Sequence, residues 1–272
     1  MPVASAWSVD RIEAGVAPLL PGFRVEVVAE IDSTNTELMR RARVGQTAPV
    51  LLVAEHQTAG RGRLGRPWLN AREPGGEPAS LMFSLGLPLV PRDWSGLSLA
   101  VGVSVAESLD PSGGHRIGLK WPNDVWVDDH KLVGILIETA LSSTGDGGAD
   151  APRYVVIGVG INIGPRESAG MRTPPAWLQQ WRPEATAPEV LHELVEPLVR
   201  NVRAFEAQGF APFAERFAAR DVLRDREVEL SDGTAGRCDG VGWGGELRVH
   251  TADGMQSITS SEVSVRPRGV AF

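Results

Sequence analysis

Residues 116–140 read RIGLKWPNDVWVDDHKLVGILIETA, and this stretch decides the fold. Arg116 to Trp121 and Val125 to Val127 are short β-rich runs on either side of Pro122-Asn123-Asp124, a turn sequence. Asp128-Asp129-His130 makes a second turn, and Lys131 to Ala140 reads as a longer strand. Strands joined by turns alone pair as hairpins, whereas parallel strands need a crossover of a dozen residues or more. The expectation is therefore an α+β fold with a mixed, mostly antiparallel sheet and packed helices, not a doubly wound sheet.

The rest of the chain fits that frame. Arg24 to Glu30, Val50 to Glu55, Leu81 to Leu87 and Tyr154 to Ile163 read as strands, the last of them central. Thr34 to Glu37 has capping-box spacing ahead of a short helix faced by Leu38, Met39 and Ala42. Leu97, Val101, Val105 and Leu109 recur every four residues and predict a buried helix. Leu191 to Phe205 carries the same spacing in a helix from Pro188 to Gln208, bent at Pro197, and a shorter helix follows at 213–219. Residues 1–23 read only as a lead-in, 165–188 as Pro-rich and irregular, and 70–78 and 141–152 as loops without a legible role. After Asp221 the texture changes to short strands at 227–230, 235–238, 246–250, 255–258 and 262–265, separated by turns such as Asp232-Gly233 and Asp253-Gly254. We read two units: residues 1–221, and residues 222–272 as a small closed β-barrel.

Composition bounds the function. Of 272 residues, 27 are basic and 34 acidic, a net charge of −7. That excludes a sequence-independent nucleic-acid binder, which needs a basic face. One cysteine, Cys238, excludes a disulfide framework and a cysteine-built zinc site, and fits a reducing compartment. No apolar run approaches the ~20 residues of a membrane span, and Met1 to Asp10 lacks the pattern of a signal peptide. Only two of the basic residues are lysines, Lys120 and Lys131, eleven positions apart. In a chain that otherwise uses arginine, they mark places where a compact ammonium is needed, since the two cations are not interchangeable.

Three segments carry candidate chemistry. Gly60-Arg61-Gly62-Arg63-Leu64-Gly65 fits a dinucleotide fingerprint, but Arg66-Pro67-Trp68 follows where a helix should open, and Leu81 to Leu87 has no acidic residue ~20 positions on. The same residues suit an anion-gripping lid: glycines admit backbone N–H groups, and Arg61, Arg63 and Arg66 reach phosphate oxygens in a forked geometry. In Lys120-Trp121-Pro122-Asn123-Asp124 the lysine can stabilise developing negative charge. Asp124 can orient a nucleophile, take a proton or help hold Mg²⁺, and Asn123 offers both donor and acceptor. The plain alternative is a decorated β-turn. Gly134, Gly158 and Gly160 sit inside strands, where glycine signals close approach by a ligand or another chain segment, and Asn162 ends the second of those strands.

Taken together these segments resemble the biotin protein ligases (biotin–acetyl-CoA-carboxylase ligases). The matching pieces are Asp32-Ser33-Thr34-Asn35, Glu55-His56-Gln57, Gly60 to Arg63 with Gly65-Arg66 and Trp68, Lys120 to Asp124, Lys131 to Leu136, and Gly158 to Asn162, in the family's order across roughly residues 24–165. The resemblance implies a class II synthetase-like catalytic domain with a small C-terminal SH3-like β-barrel. It implies ATP-dependent attachment of biotin to a lysine of a biotin carboxyl carrier protein. Biotin's carboxylate attacks the α-phosphate, pyrophosphate leaves, and the acceptor amine then displaces AMP from biotinyl-5′-AMP. It further implies that Ser33, Thr34 and Gln57 hold the ureido ring, with Asn35 near the carboxyl end. Gly60, Arg61, Gly62 and Arg63 close over the ligand, and Trp68, Lys131, Gly134, Leu136, Gly158 and Gly160 complete the biotin site. Arg63, Arg66, Lys120, Asn123, Lys131 and Asn162 meet the nucleotide; Lys120, Arg63 and Asp124 are the candidate catalytic residues. Mg²⁺ is expected with ATP, and the protein ligands for it are not legible. Trp177 and Trp181 are candidates for stacking on adenine by composition only.

The expected form is the short one without an N-terminal helix-turn-helix domain, cytoplasmic, neither DNA-binding nor membrane-bound, with a homodimer through a sheet edge and a monomer equally compatible. A lipoate or octanoyl ligase is the nearest alternative, but those show an Arg-Arg then Gly-Gly-Gly loop in place of Gly-Arg-Gly-Arg and Trp68. A non-enzymatic biotin sensor is the alternative of another class.

Overall fold

The computed structural model describes residues 7–69, 78–114, 117–141, 151–166, 173–259 and 263–267. The loops expected at 70–78 and 141–152 lie largely outside them, as do part of the irregular stretch 165–188 and the start of the last expected strand. A seven-stranded sheet has the order β1-β2-β3-β7-β6-β5-β4. Its strands are β1 (Arg24–Ile31), β2 (Val50–Gln57), β3 (Ser80–Leu89), β4 (Gly118–Lys120), β5 (Asp124–Val127), β6 (His130–Leu141) and β7 (Arg153–Asn162). Only β1 and β2 pair in parallel; every other ladder is antiparallel, as the hairpins of 116–140 require. Strand β7 is central, between β3 and β6.

The pleat divides the sheet into two unlike faces. Leu51, Val53, Leu81, Phe83, Leu85, Val133, Ile135, Val155, Ile157, Val159 and Ile161 point to the main core. Helices α3 (Leu97–Leu109) and α4 (Ala187–Gln208) cover that side, with α5 (Ala211–Ala218) packed on α3. The alternate residues Leu52, Ala140, Tyr154 and Val156 form a small second core under Leu38 and Ala42 of α2 (Thr34–Arg43). One end of this second face is thus apolar and covered. The other end, around Gly134, Gly158 and Gly160, holds the site.

Two local expectations are corrected, and a third element is filled in. The lead-in contains a helix, α1 (Val9–Val16), whose Ile12 and Val16 are buried. A helix this short is marginal alone and forms by packing, here on α4 and β1, so its eight residues give no periodicity to read. The cap of α2 is Ser33, one residue before the expected Thr34. The Ser33 hydroxyl accepts from the Thr36 N–H at 3.4 Å, and Glu37 turns instead to Arg40 and Arg41. The C-terminal strands β8 (Glu227–Leu230), β9 (Ala235–Val241), β10 (Leu247–Thr251), β11 (Gly254–Ile258) and β12 (Val265–Pro267) form a five-stranded antiparallel sheet ordered β11-β10-β9-β8-β12. This antiparallel sheet fits the small SH3-like β unit expected after Asp221, and among the described residues no ladder joins β11 to β12.

The two sheets are stitched together. Leu119 of β4 and Asp221 form a parallel bridge, with Leu119 N–H donating to the Arg220 carbonyl at 2.7 Å and Val222 N–H to the Leu119 carbonyl at 3.0 Å. The Arg220 guanidinium is buried against Asp110, at the end of α3, at 3.1 Å and donates to the Ile117 carbonyl at 3.0 Å. Burial alone would raise the Asp110 carboxyl, but Arg220 and Ser112 outweigh it and hold it below the usual range. Arg220→Met should strand that carboxylate and cost about 3–5 kcal/mol in urea unfolding. Asp110's own contribution is present above the unfolded carboxyl value and is lost as pH falls through the lower folded one. The deficit of the variant should therefore shrink in acid, and an unchanged unfolding midpoint would overturn this reading.

Candidate functional site

Cross-strand partners share a face of the sheet, and one row of partners runs Lys120–Asp124–Gly134–Gly160–Met82 across β4, β5, β6, β7 and β3. The next row on the same face is Leu136–Gly158–Ser84. A cavity of about 450 Å³ lies over these rows, inside the ~300–1,000 Å³ range of small-molecule sites. All five residues of the first row line it, as do Leu136 and Gly158.

The strand glycines admit protein groups. An added Cβ on Gly160 would stand 2.4 Å from Trp68 Cε2, and one on Gly134 would stand 2.8 Å from Trp68 Cζ3. The Trp68 indole therefore lies directly on bare backbone of β6 and β7. A Cβ on Gly158 would stand 2.0 Å from Asn35 Oδ1. All three are distances that real Cβ atoms do not reach, so a side chain at any of these positions would displace Trp68 or Asn35.

At the β2–β3 end the cavity is walled by a buried polar chain. Gln57 Oε1 accepts from the Thr34 N–H at 2.7 Å and from Thr34 Oγ1 at 3.2 Å. Ser84 Oγ lies 2.7 Å from Thr34 Oγ1 and donates to Asn35 Oδ1 at 2.6 Å. Asn35 Nδ2 donates to Glu138 at 2.9 Å and to the Leu136 carbonyl at 3.3 Å. Ser33, Thr34, Asn35 and Gln57 all line the cavity, as the sequence suggested.

At the β4–β6 end the cavity is cationic. Lys120, Lys131, Arg63, Arg66, Arg166 and Arg266 line the cavity with one carboxylate, Asp124, on which Lys131, Lys120 and Arg63 act. Lys131 Nζ is 2.6 Å from Asp124 Oδ1. Burial would raise the Asp124 carboxyl, but Lys131 and Lys120 outweigh it and hold it below the ordinary range. Asp124 is thus a fixed anion, suited to orienting Lys131 and unsuited to taking a proton at neutral pH. Lys120 is buried with its ammonium 4.9 Å from the Trp126 ring centroid. Burial, helped by Lys131, Arg63 and Arg66 and opposed by Asp124, pushes its pKa down to about 8. Burial lowers Arg63 and brings Arg166 down to about 10.

The loop from Gly60 to Trp68 folds onto itself. Gly62 N–H donates to the Arg66 carbonyl at 2.7 Å, and Trp68 N–H to the Gly60 carbonyl at 2.8 Å. Arg63 donates to Asn123 Oδ1 at 2.9 Å and to the Val263 carbonyl at 3.2 Å, so the second sheet reaches the site. Arg61 and Arg66 also line the cavity. The Arg61 guanidinium, however, binds Glu138 and Thr36 and not an open anion site.

Asn123 and Asn162 line the cavity with amides already engaged. Asn123 donates to the Ile135 carbonyl, and Asn162 donates to the carbonyls of Lys131 and Ala176 and accepts from Arg166. Trp177 and Trp181 do not line the cavity; Trp181 packs on the main core. Residues that sequence reading missed divide in two. Ser84, Trp126 and Glu138 follow from pleat alternation once neighbouring site residues are fixed. Arg166 and residues 263–267 arrive from distant or irregular segments with no local signal.

Comparison with known proteins gives a consistent picture. Residues 27–162 match the model of the biotin/lipoate A/B protein ligase family. The chain is 33% identical over 254 residues to the bifunctional ligase/repressor BirA of Escherichia coli, covering 91% of this chain and 75% of that one. It is 31% identical over 255 residues to the biotin–[acetyl-CoA-carboxylase] ligase of Paracoccus denitrificans, covering 87% and 98%. It superposes on the biotin protein ligase from Aquifex aeolicus in complex with biotin and ATP with a TM-score of 0.73 and 28% identity, covering 89% and 98%.

A buried lysine shifted from 10.5 to about 8 is a stability liability. Below pH 8 both folded and unfolded chains hold the proton and the penalty is fully present. Between about 8 and 10.5 only the unfolded chain holds it, so stability rises with pH. Lys120→Met should therefore raise stability at pH 7 by about 1–3 kcal/mol in urea unfolding. It should also flatten the rise above pH 8. A lower unfolding midpoint for the variant would refute this account.

Proposed function

The chain belongs to the biotin/lipoate A/B protein ligase family, and from that membership and the two-ended cavity we propose how it works. It is an ATP-dependent ligase that attaches biotin, an enzyme of the biotin–[acetyl-CoA-carboxylase] ligase kind. The observation that carries the site assignment is the division of one cavity into a neutral polar end and a cationic end, joined by Trp68 lying on glycines.

In this reading the neutral end takes the ureido ring at Ser33, Thr34 and Gln57, and Trp68, Gly134, Leu136, Gly158 and Gly160 form the apolar slot beyond it. Asn35 stands towards the biotin carboxyl. The cationic end takes the phosphates. Lys131, held by Asp124 and half exposed, reaches the α-phosphate, and Lys120 beneath it adds field in a dry site, where fixed charge acts most strongly. Arg63, Arg66 and Arg166 hold the remaining phosphate oxygens, while Asn123 and Asn162 hold Arg63 and Arg166 in place. A biotin carboxylate oxygen attacks the α-phosphorus and the bond to pyrophosphate breaks. The acceptor lysine amine then attacks the acyl carbon of the mixed anhydride and AMP leaves with the bonding pair. The enzyme supplies position, charge and exclusion of water, with no covalent step of its own.

Magnesium enters with ATP as part of that substrate. Among the described residues no group of three or more His, Cys, Asp or Glu side chains is placed to hold a metal. The acceptor is a biotin carboxyl carrier protein. A cytoplasmic setting fits the lone buried Cys238, and no described helix is long and apolar enough to cross a membrane. DNA binding is no part of the proposal, in keeping with the net charge of −7. We assign the adenylating chemistry to residues 1–221, with 222–272 as an appended small unit whose last strand closes the cationic end.

ATP–pyrophosphate isotope exchange, with biotin and lipoate in separate reactions, tests the reading. Exchange is expected with biotin alone. Exchange with lipoate alone would keep the mechanism and overturn the ureido assignment. Exchange with neither, while biotin binds, would make the protein a sensor. Lys120→Ala should abolish exchange and leave biotin binding measurable by calorimetry. Because Lys120 loses its proton near pH 8, kcat/KM for exchange should fall as pH rises through that value, with the falling limb displaced upward in Lys120→Arg.

A further inference from the structure

We propose that Glu138 is a positioning residue that holds the Gly60–Trp68 loop over the cavity through Arg61, and so sets how tightly the site retains biotin; the second half of this rests on the biotin-ligase reading above. Glu138 stands on β6 two residues beyond Leu136 and four beyond Gly134, hence on the same face of the sheet. It does not line the cavity itself. Its Oε2 accepts from Arg61 Nη2 at 2.9 Å and from Asn35 Nδ2 at 2.9 Å, and its Oε1 lies 3.1 Å from the same Arg61 nitrogen. Arg61 Nε donates to Thr36 Oγ1 at 3.0 Å. One carboxylate therefore ties the loop to β6 and to the first turn of α2.

Two arginines anchor this loop, and they differ in kind. Arg63 grips Asn123 and the Val263 carbonyl at the cationic end, where the nucleotide is placed. Arg61 grips only protein groups, away from the phosphates. The rest of the loop is held by its own backbone bonds and by Trp68, with Leu64 at its tip 55% exposed. The Arg61–Glu138 pair is accordingly the anchor at the end of the loop remote from Asn123 and Val263. The carboxylate has a second effect. It can only accept, so Asn35 must turn Nδ2 towards it and Oδ1 towards Ser84. Glu138 thus fixes which end of the Asn35 amide faces which neighbour. With side chains 41% and 26% exposed, the pair is open enough for salt to weaken it.

The test is hydrogen–deuterium exchange on the full chain, reading the segment 58–69, in the parent protein, Glu138→Gln, Arg61→Gln and the double variant. Glu138→Gln keeps an amide oxygen for Asn35 and removes the charge that holds Arg61. The N–H groups of Gly62, Arg66 and Trp68 should exchange about five- to tenfold faster in each single variant, as expected for a charge-assisted, half-exposed pair. The double variant should exchange no faster than the singles, and β3 and β7 should keep their protection. About 1 M salt should speed exchange in the parent and leave the variants unchanged, because screening acts only on the intact pair. In pyrophosphate exchange, Glu138→Gln should raise the biotin KM by the same factor and leave kcat nearly unchanged. Unchanged loop protection in Glu138→Gln, additive effects in the double variant, or a loosened loop with an unaltered biotin KM would each overturn the proposal. If the parent protein activates lipoate or nothing, the biotin reading fails, and the loop measurement still decides whether Glu138 is the anchor.

Discussion

The cavity depends on the close approach of the Trp68 indole to the bare backbone of β6 and β7 at Gly134 and Gly160. A methyl group at either position would lift the ring, and with it the Gly60–Trp68 loop that brings Arg63 to Asn123. Gly158 admits the Asn35 amide in the same way, and that amide closes the chain from Gln57 through Thr34 and Ser84 to Glu138. Three missing side chains thus let a helix start, a loop and a flat sheet face meet around one space. Glycine within a strand weakens it, and the strands here tolerate that because β7 is central, paired along ten residues with β3 and nearly as many with β6.

The second organising constraint is charge. Seven cations and one carboxylate line the cavity, an imbalance that folding alone would not favour, since a buried charge without a full partner is costly. The cost is visible in Lys120, held near pKa 8, and in Arg166, near 10. Asp124 is the one anion and is kept ionised by the lysines. An excess of cations of this kind favours an anionic ligand. The other end differs: Gln57 engages Thr34, Ser84 links Thr34 to Asn35, Asn35 reaches Glu138, and Ser33 caps α2.

Much of this was legible beforehand, for stateable reasons. Hairpin turns at 122–124 and 128–130 dictated antiparallel strands, and strand glycines and two lone lysines pointed to the site. Helix α1 was not legible, because eight residues carry too little periodicity. Trp126, Ser84 and Glu138 look like ordinary strand residues until pairing register puts them beside Lys120, Gly158 and Asn35. Asn123 and Asn162 read as ligand groups, and only the fold shows that their donors are engaged by main-chain carbonyls.

By itself, then, the sequence determined the strand and turn order, the class of fold, the residue types of the site and the family, because those follow from local propensity, pleat period and motif order. Tertiary structure alone decided which groups face each other. Arg61 turns to Glu138, Arg63 reaches Val263 just ahead of β12, and Trp68 lies on Gly134 and Gly160. Such contacts join residues from about 60 to 200 positions apart. Their geometry is fixed by strand register and by packing, which no local stretch of chain encodes.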